Sequence, residues 1–386
     1  MIDRPAALCN VLAAVRVDED GLTSYARARR CQEGSMDEDD STRATFERRE
    51  LLKLGAAATV GYLAGGGARD ASAAARPLPV NPVTPKAMPT RNLGRTGYRV
   101  GILSLGGQAA VEQPDNEAAA VPIIERALDL GVNYIDTSAR YGGPERWSER
   151  YVGAVMKRRR GEAFLATKTH DRTRDGSLKL LEKSLYLLQT DHVDLWQLHN
   201  LSRMEEIEQI FAPGGAVQAL VAAREQGIVR FLGVTGHADP AVLIEAVRRF
   251  PFDTVLMALN AADPHHLSFS AGLLPLAVEK EMGIVGMKIP ARGRILAGWA
   301  PPSRQTQRPD QAALRSGTLT MREAMRYVLT LPVSTVIVGC DTVAHVEENV
   351  RLAREFTPLA AAQMAELTRR TEAVQRQALF FRRWDS

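Results

Sequence analysis

Cysteine is scarce. Three occur in 386 residues, at positions 9, 31 and 340, and none has Cys-x-x-Cys spacing. That excludes a disulfide framework and a thiolate metal site. Aromatic residues make up only 6% of the chain, and the charge is close to balance at +4. So mild and scattered an excess argues against a nucleic-acid partner. The basic run at 157–160 closes an expected helix and reads as a solvated terminus. Long apolar runs are missing as well. The stretch after Arg48-Arg49 is short and glycine-rich, so no stable membrane span is expected. Neither GxGxxG before a helix nor GxxxxGK[ST] occurs, which removes both familiar phosphate loops. The pair His265-His266 lacks carboxylate–histidine spacing and reads as surface loop, with no metal expected.

What is present is ordinary globular composition, 45% hydrophobic and 24% charged, sufficient for one large core. From residue 91 the chain alternates strand and helix. RNLGRTGYRV predicts a short hairpin, with Gly94 and Gly97 at its turns, closing the floor of a barrel. Strands are expected at 100–107, 133–138, 163–169, 192–198, 229–234, 253–259, 284–288 and 334–338. Helices are expected at 117–130, 148–160, 177–188, 216–225, 240–249, 273–281, 321–329 and 343–356. In the helix at 177–188, Leu178, Leu181, Leu185 and Leu188 share one face. Asp239 and Pro240 start the helix at 240–249 as cap and first-turn proline. Eight strand–helix pairs in about 260 residues predict a (β/α)8 TIM barrel rather than a doubly wound sheet. The loop at 290–318 is long enough to be a lid, and 358–383 reads as a terminal helix and tail.

Polar residues recur where these strands end. Asp136 closes NYID and Tyr141 follows on the loop above it. Lys168 closes AFLATK, His199 closes VDLWQLH, Thr235 to His237 close FLGVTGH, Asn260 closes TVLMALN and Lys288 closes IVGMK. One polar group at the carboxyl end of strand after strand is how a parallel barrel builds an active site. Each has a plain alternative: a turn cap at Asp136, surface packing at Tyr141, a solvated strand end at Lys168, a core histidine at His199. Four together on strands two, three and four favour chemistry. An ammonium beside a phenol is expected to lower its pKa, and Asp136 would balance the lysine. Such a group suits protonation of an oxygen that gains negative charge.

Residues 1–76 read as an extension outside the fold and 77–90 as a proline-rich linker, leaving 91–386 as the barrel with its tail. The extension holds Arg48-Arg49, a weakly apolar core to Gly67 and the small-residue tract 71–75. This order resembles a twin-arginine export signal, with the export machinery as partner and a periplasmic or extracytoplasmic location. If the signal does not function, the location is cytoplasmic. Met36 is an alternative start. That route carries folded proteins, so a cofactor can be loaded first, and the lack of paired cysteines agrees with folding in a reducing compartment.

Residues 91–356 resemble the aldo-keto reductase family nearly end to end. The pieces that carry the likeness are LGRTGYRVGILSLGG, NYIDTSARYG, LATKT, VDLWQLHN, RFLGVTGH and TVIVGCDTVAHVEENV. The resemblance implies a barrel that binds NADPH, with NADH also admitted, without a Rossmann domain. It implies catalytic roles for Asp136, Tyr141, Lys168 and His199, with Tyr141 as acid toward a small-molecule carbonyl substrate. Cofactor contacts are implied at Gly107, Asp136, Thr235, Gly236, Lys288, Gly339, His345, Glu348 and Asn349. Several of these depart from the family pattern. Thr235-Gly236 stands where Ser-Asn is frequent, Leu256 replaces a glutamine, and Lys288 replaces a stacking aromatic. Gly339 and His345 occupy positions that many members use for a 2′-phosphate, and Asp341 between them would repel one. Arg292 and Arg294 either compensate or are solvated charges. The function expected is NAD(P)H-dependent reduction of an aldehyde or ketone; the alternative is a nucleotide-binding sensor or regulatory subunit with little turnover. Trp147 is a pocket candidate. Phe380, Phe381 and Trp384 suggest an apolar substrate, or else a tail packed on the barrel base.

Overall fold

The computed structural model describes residues 76–301 and 314–384. The proposed export segment, with Cys9, Cys31 and Met36, lies outside the described residues, as does part of the long loop. Eight parallel strands close a barrel: β3 (Leu103–Gly106), β4 (Tyr134–Asp136), β5 (Phe164–Thr169), β6 (Val193–Leu198), β7 (Val229–Gly236), β8 (Thr254–Ala258), β9 (Gly283–Met287) and β10 (Thr335–Val338). β10 pairs with β3 to complete the ring. Most barrel-strand residues are buried, because strands in a parallel barrel have helices on one side and packed side chains on the other.

The expected first strand at 100–107 is in fact two. β2 (Arg99–Gly101) pairs antiparallel with β1 (Thr90–Asn92), and β3 begins afresh at Leu103. The hairpin plugs the barrel floor with fully buried Leu93. Gly94, at φ 54°, lies so close to the Met282–Gly283 backbone that a Cβ would collide with it. Ile102 forms no sheet residue of its own, and its amide donates to Pro89 O at 3.0 Å.

Residues 77–90 are not a free linker. Thr84–Ala87 is a short helix with Thr84 and Ala87 buried. Val80 N donates to Gly161 O at 2.8 Å, and Arg76 pairs with Asp191 at 3.0 Å. Five prolines predict extended chain, but Leu78, Ala87 and Met88 have apolar surface to bury and the floor has a place for it. Gly161, Asp191 and Gly131, which the segment meets, all precede strands. The segment therefore lies on the face opposite the strand ends.

The helix over Trp147–Arg159 ends in basic residues that are largely paired: Arg158 meets Glu125, Arg159 meets Asp129 and Glu162, and Arg160 reaches Asp194. An eight-residue helix, Met204–Phe211, was not expected from the pattern. The terminal segment forms Ala361–Thr371 and the short Gln375–Ala378. It crosses the carboxyl ends of the strands, not the base. Asn260 donates to Ala378 O at 3.2 Å, and buried Arg382 donates to Ala258 O at 3.1 Å and pairs with Asp263. The two histidines suggested by their adjacency hold this tail: His265 to Thr368 O at 2.9 Å, His266 to Arg383 O at 2.7 Å and stacked on Trp384 at 3.8 Å.

Candidate active site

Strand alternation and closure bring the four expected groups together. Asp136 is the last residue of β4, and Lys168 the penultimate residue of β5. Their side chains form a buried ion pair at the head of the barrel interior. Lys168 Nζ also donates to Thr137 O at 2.7 Å, and Gln197 on β6 donates to the other Asp136 oxygen at 3.1 Å. Tyr141, on the loop after β4, faces this pair: Lys168 Nζ lies 4.9 Å from its ring centroid. The His199 ring meets Tyr141 edge-on, with centroids 5.6 Å apart. Ser138 Oγ lies 3.0 Å from His199 Nδ1, and the His199 backbone amide donates to Thr169 O at 2.8 Å, so one bond orients the ring and the other fixes the backbone that carries it.

The electrostatics differ from expectation at one point. The Tyr141 phenol is not drawn toward ionisation but pushed well above its usual range, by burial first and then by Asp136 and Glu112, with Arg292 opposing. Burial likewise raises Asp136 and lowers Lys168, each opposed by its partner. His199 falls well below the usual imidazole range through burial and Lys168, so it is neutral.

A cavity of about 520 Å³ opens over this group at the strand ends. Tyr141, Lys168, His199, Thr235, His237 and Lys288 line it, as expected positions do. Gln108, Glu112, Arg140, His170, Arg172, Asn200, Ser202 and Glu206 also line it and were missed. Several of them directly follow strand ends already singled out, and that position was the available signal. Among the described residues its aliphatic lining is confined to Leu256 and Met287. Trp147 is not in the cavity wall but stacks on Tyr151 at 5.7 Å. The tail aromatics are also elsewhere: Phe380 lies under Arg294, Phe381 against His237 and Trp384 on His266. The expectation of an apolar substrate therefore loses its basis.

The remaining expected positions divide. Gly107 and Gly236 serve close packing, since a Cβ would strike Ser148 Oγ and Asp136 O in the first case and Leu201 O in the second. Thr235 Oγ1 accepts from Asn200 N at 2.8 Å. Lys288 adopts φ 64° and reaches Gln108 Oε1 at 3.3 Å. Burial and Arg292 pull its pKa down to about 8. Gly339, Asp341, His345 and Glu348 are exposed at the rim beside β10, whereas Asn349 is buried and donates to Cys340 Sγ at 3.5 Å. Asn260 ties β8 to Lys288 O and the tail, a structural role.

A closed parallel barrel with an acid–base cluster at its carboxyl-terminal mouth is the build of a barrel enzyme. The Aldo/keto reductase family model matches residues 100–372, and the chain belongs to that family. Among curated proteins it is 29% identical over 296 residues to L-galactose dehydrogenase of Arabidopsis thaliana, covering 71% of this chain and 90% of that one. It is 30% identical over 166 residues to 6-dehydroglucose reductase of Novosphingobium aromaticivorans, covering 39% and 53%. Among solved structures, the holo form of an aldo-keto reductase from Bacillus halodurans superposes with a TM-score of 0.60 at 25% identity, covering 74% of this chain and 97% of that one. The protein is an NAD(P)H-dependent oxidoreductase.

The residues present fit a nicotinamide nucleotide at one flank of the cavity. Leu256 and Met287 offer the apolar wall there, Thr235 a hydroxyl, and Lys288 and Arg292 positive charge for phosphates. Among the described residues no group of three or more His, Cys, Asp or Glu is arranged to hold a metal. No described helix is long and apolar enough to cross a membrane.

Proposed function

We propose that this protein reduces a small, polar, hydroxylated aldehyde or ketone to the alcohol, with Tyr141 as proton donor. One observation carries the reading: Asp136, Lys168, Tyr141 and His199 meet at the bottom of a polar cavity. When bound, a nicotinamide nucleotide supplies the hydride. Thr235, Leu256 and Met287 would hold its reactive end and Lys288 and Arg292 its phosphates, with Glu348 at the far rim.

Tyr141 stays protonated over the physiological range, as a general acid must. As its proton leaves, the Lys168 ammonium near the ring stabilises the phenolate, and Asp136 keeps that ammonium in place. In the tautomer in which Ser138 donates to Nδ1, the ring proton of His199 sits on Nε2 and can point at the carbonyl oxygen. His199 orients the substrate, and Tyr141 completes the alcohol.

The predominantly polar lining supports a hydroxylated substrate, and so do the names of two relatives that act on sugars. The amino-terminal pattern around Arg48-Arg49 supports export by the twin-arginine route.

The test is nucleotide oxidation by the purified full chain, with NADPH and NADH separately, against a panel of aldehydes and ketones. Tyr141→Phe should lower kcat/KM by about 10²–10⁴-fold. Turnover indifferent to that change would overturn the assignment of the acid. Tight nucleotide binding with no turnover on any carbonyl would favour a sensor instead.

A further inference from the structure

We propose that Arg140 binds an oxyanion on the substrate, a carboxylate or a phosphate carried a short chain away from the carbonyl. The inference rests on the reductase reading above and adds the charge by which that site chooses among substrates. Arg140 lines the cavity and directly precedes Tyr141 in the chain. Its backbone is tied to the reacting groups. Arg140 N donates to Ser138 Oγ at 3.2 Å, and the same hydroxyl lies 3.0 Å from His199 Nδ1. Tyr141 N donates to Ser138 O at 3.0 Å, which closes the turn. One serine thus fixes where the Arg140 side chain starts relative to the two groups that meet the carbonyl oxygen.

The lining is rich in positive charge, and the rest of it is already engaged. Lys168 pairs with Asp136, and Arg172 with Glu206 at 2.7 Å. Lys288 and Arg292 stand on the nucleotide flank after β9, where Gln108 bridges Lys288 to Glu112 at 3.3 Å on each side. Arg140 is exposed and has no side-chain hydrogen bond or ion pair among the described residues. Arg146 and Arg150, a few positions on, close ion pairs with Glu149 and Glu145. Position also separates Arg140 from the nucleotide. Around the ring β9 is followed by β10, β3 and then β4, so Arg140 stands three strands away from Lys288 and Arg292, near the far side of the barrel. Nucleotide phosphates held after β9 leave it free for the substrate.

The surroundings of Arg140 favour an anion. His170, on the loop after neighbouring β5, is held below the usual imidazole range by burial and then by Arg140, with Arg146 and Arg172 adding to the effect and Asp171 opposing it. Positive charge therefore prevails on this wall, and the imidazole stays neutral beside it. A guanidinium presents a planar fork of donors that matches two oxygens of a carboxylate or a phosphate. A cationic substrate would be repelled, and a neutral one would gain less.

The experiment measures kcat/KM of the full-chain enzyme with NADPH for two matched pairs: D-glyceraldehyde 3-phosphate against D-glyceraldehyde, and succinic semialdehyde against butanal. In at least one pair the anionic member should be favoured by about tenfold or more, the worth of a charge-assisted hydrogen bond to substrate. The pair that shows it identifies the oxyanion. Arg140→Met should bring that ratio close to one, and Arg140→Lys, which keeps the charge but not the fork, should retain part of it. Neutral members used as well as anionic ones in both pairs, or a preference unmoved in Arg140→Met, would overturn the proposal. Saturation-transfer NMR with glycerol 3-phosphate, D-glycerate and glycerol reads binding without turnover, with NADP⁺ present to fill the nucleotide's own phosphate sites. Should no aldehyde react, the reductase reading fails. Even then, binding of either anion above glycerol that disappears in Arg140→Met supports the subsite. Anion binding no stronger than that of glycerol, or unchanged in Arg140→Met, rejects it.

Discussion

Tyr141 and Lys288 illustrate how much a single side chain's chemistry depends on its surroundings. Both are strand-end residues visible in the sequence, yet their protonation follows from burial. The phenol is kept neutral by burial first and then by the carboxylates of Asp136 and Glu112. Lys288 is drawn down to about 8, by burial and then Arg292, so it is charged at neutral pH and loses the charge above that value. Placed on the cofactor flank, it should favour an anionic nucleotide below pH 8. Nucleotide affinity is expected to fall roughly three- to tenfold between pH 7 and pH 9, bounded by the roughly tenfold drop in the charged fraction of a group that titrates at about 8. Calorimetric titration at several pH values checks this, and Lys288→Met should flatten the dependence. A slope unchanged in that variant would assign the titration to another group. Motif position alone did not settle side-chain direction: Trp147 turns onto Tyr151, and Asn349 turns inward to Cys340.

Elements were legible where periodicity was long. The helices Trp147–Arg159 and Ala216–Glu225 fall within a residue of their expected bounds, since amphipathic runs of three turns leave few alternatives. The eight-residue helix Met204–Phe211 was not legible, being too short to establish a period. Its start is set by Glu206, which accepts from Ser202 N at 2.8 Å and Arg203 N at 3.1 Å while pairing with Arg172. That single carboxylate links a helix cap to the cavity wall. Between larger elements, Gly153 permits the helix Trp147–Arg159 to touch the helix Arg174–Leu188. A Cβ there would run into Leu187 O, a backbone atom that cannot move aside cheaply. Gly153→Ala should therefore destabilise the fold by about 1–3 kcal/mol despite the better helix propensity of alanine. Equilibrium urea denaturation measures it, and a neutral or stabilising result would show that these helices can separate without cost.

On the scale of the whole molecule, floor and mouth are specialised differently. The hairpin and residues 76–89 cover the floor, while the cavity, the loops after the strands and the carboxyl-terminal tail occupy the mouth. Among the described residues the one cysteine, Cys340, is free and buried. If the twin-arginine reading holds, cell fractionation should find the mature protein outside the cytoplasm, and a variant with Arg48→Lys and Arg49→Lys should be retained inside. Cytoplasmic location of both forms would reject export.

The residue order by itself determined the barrel and its four chemical groups. Alternating strand and helix patterns admit few closed arrangements, and a strand end is a fixed address on a barrel. Only the tertiary structure decided what those groups face. Which polar residues share the cavity, which are left without partners, and which side chains turn away depend on contacts between loops distant in the chain. His170 and Asn200 line the same cavity because β5 and β6 are neighbours in the ring. No local pattern encodes that meeting, because it is set by closure of the barrel and by the packing that burial drives.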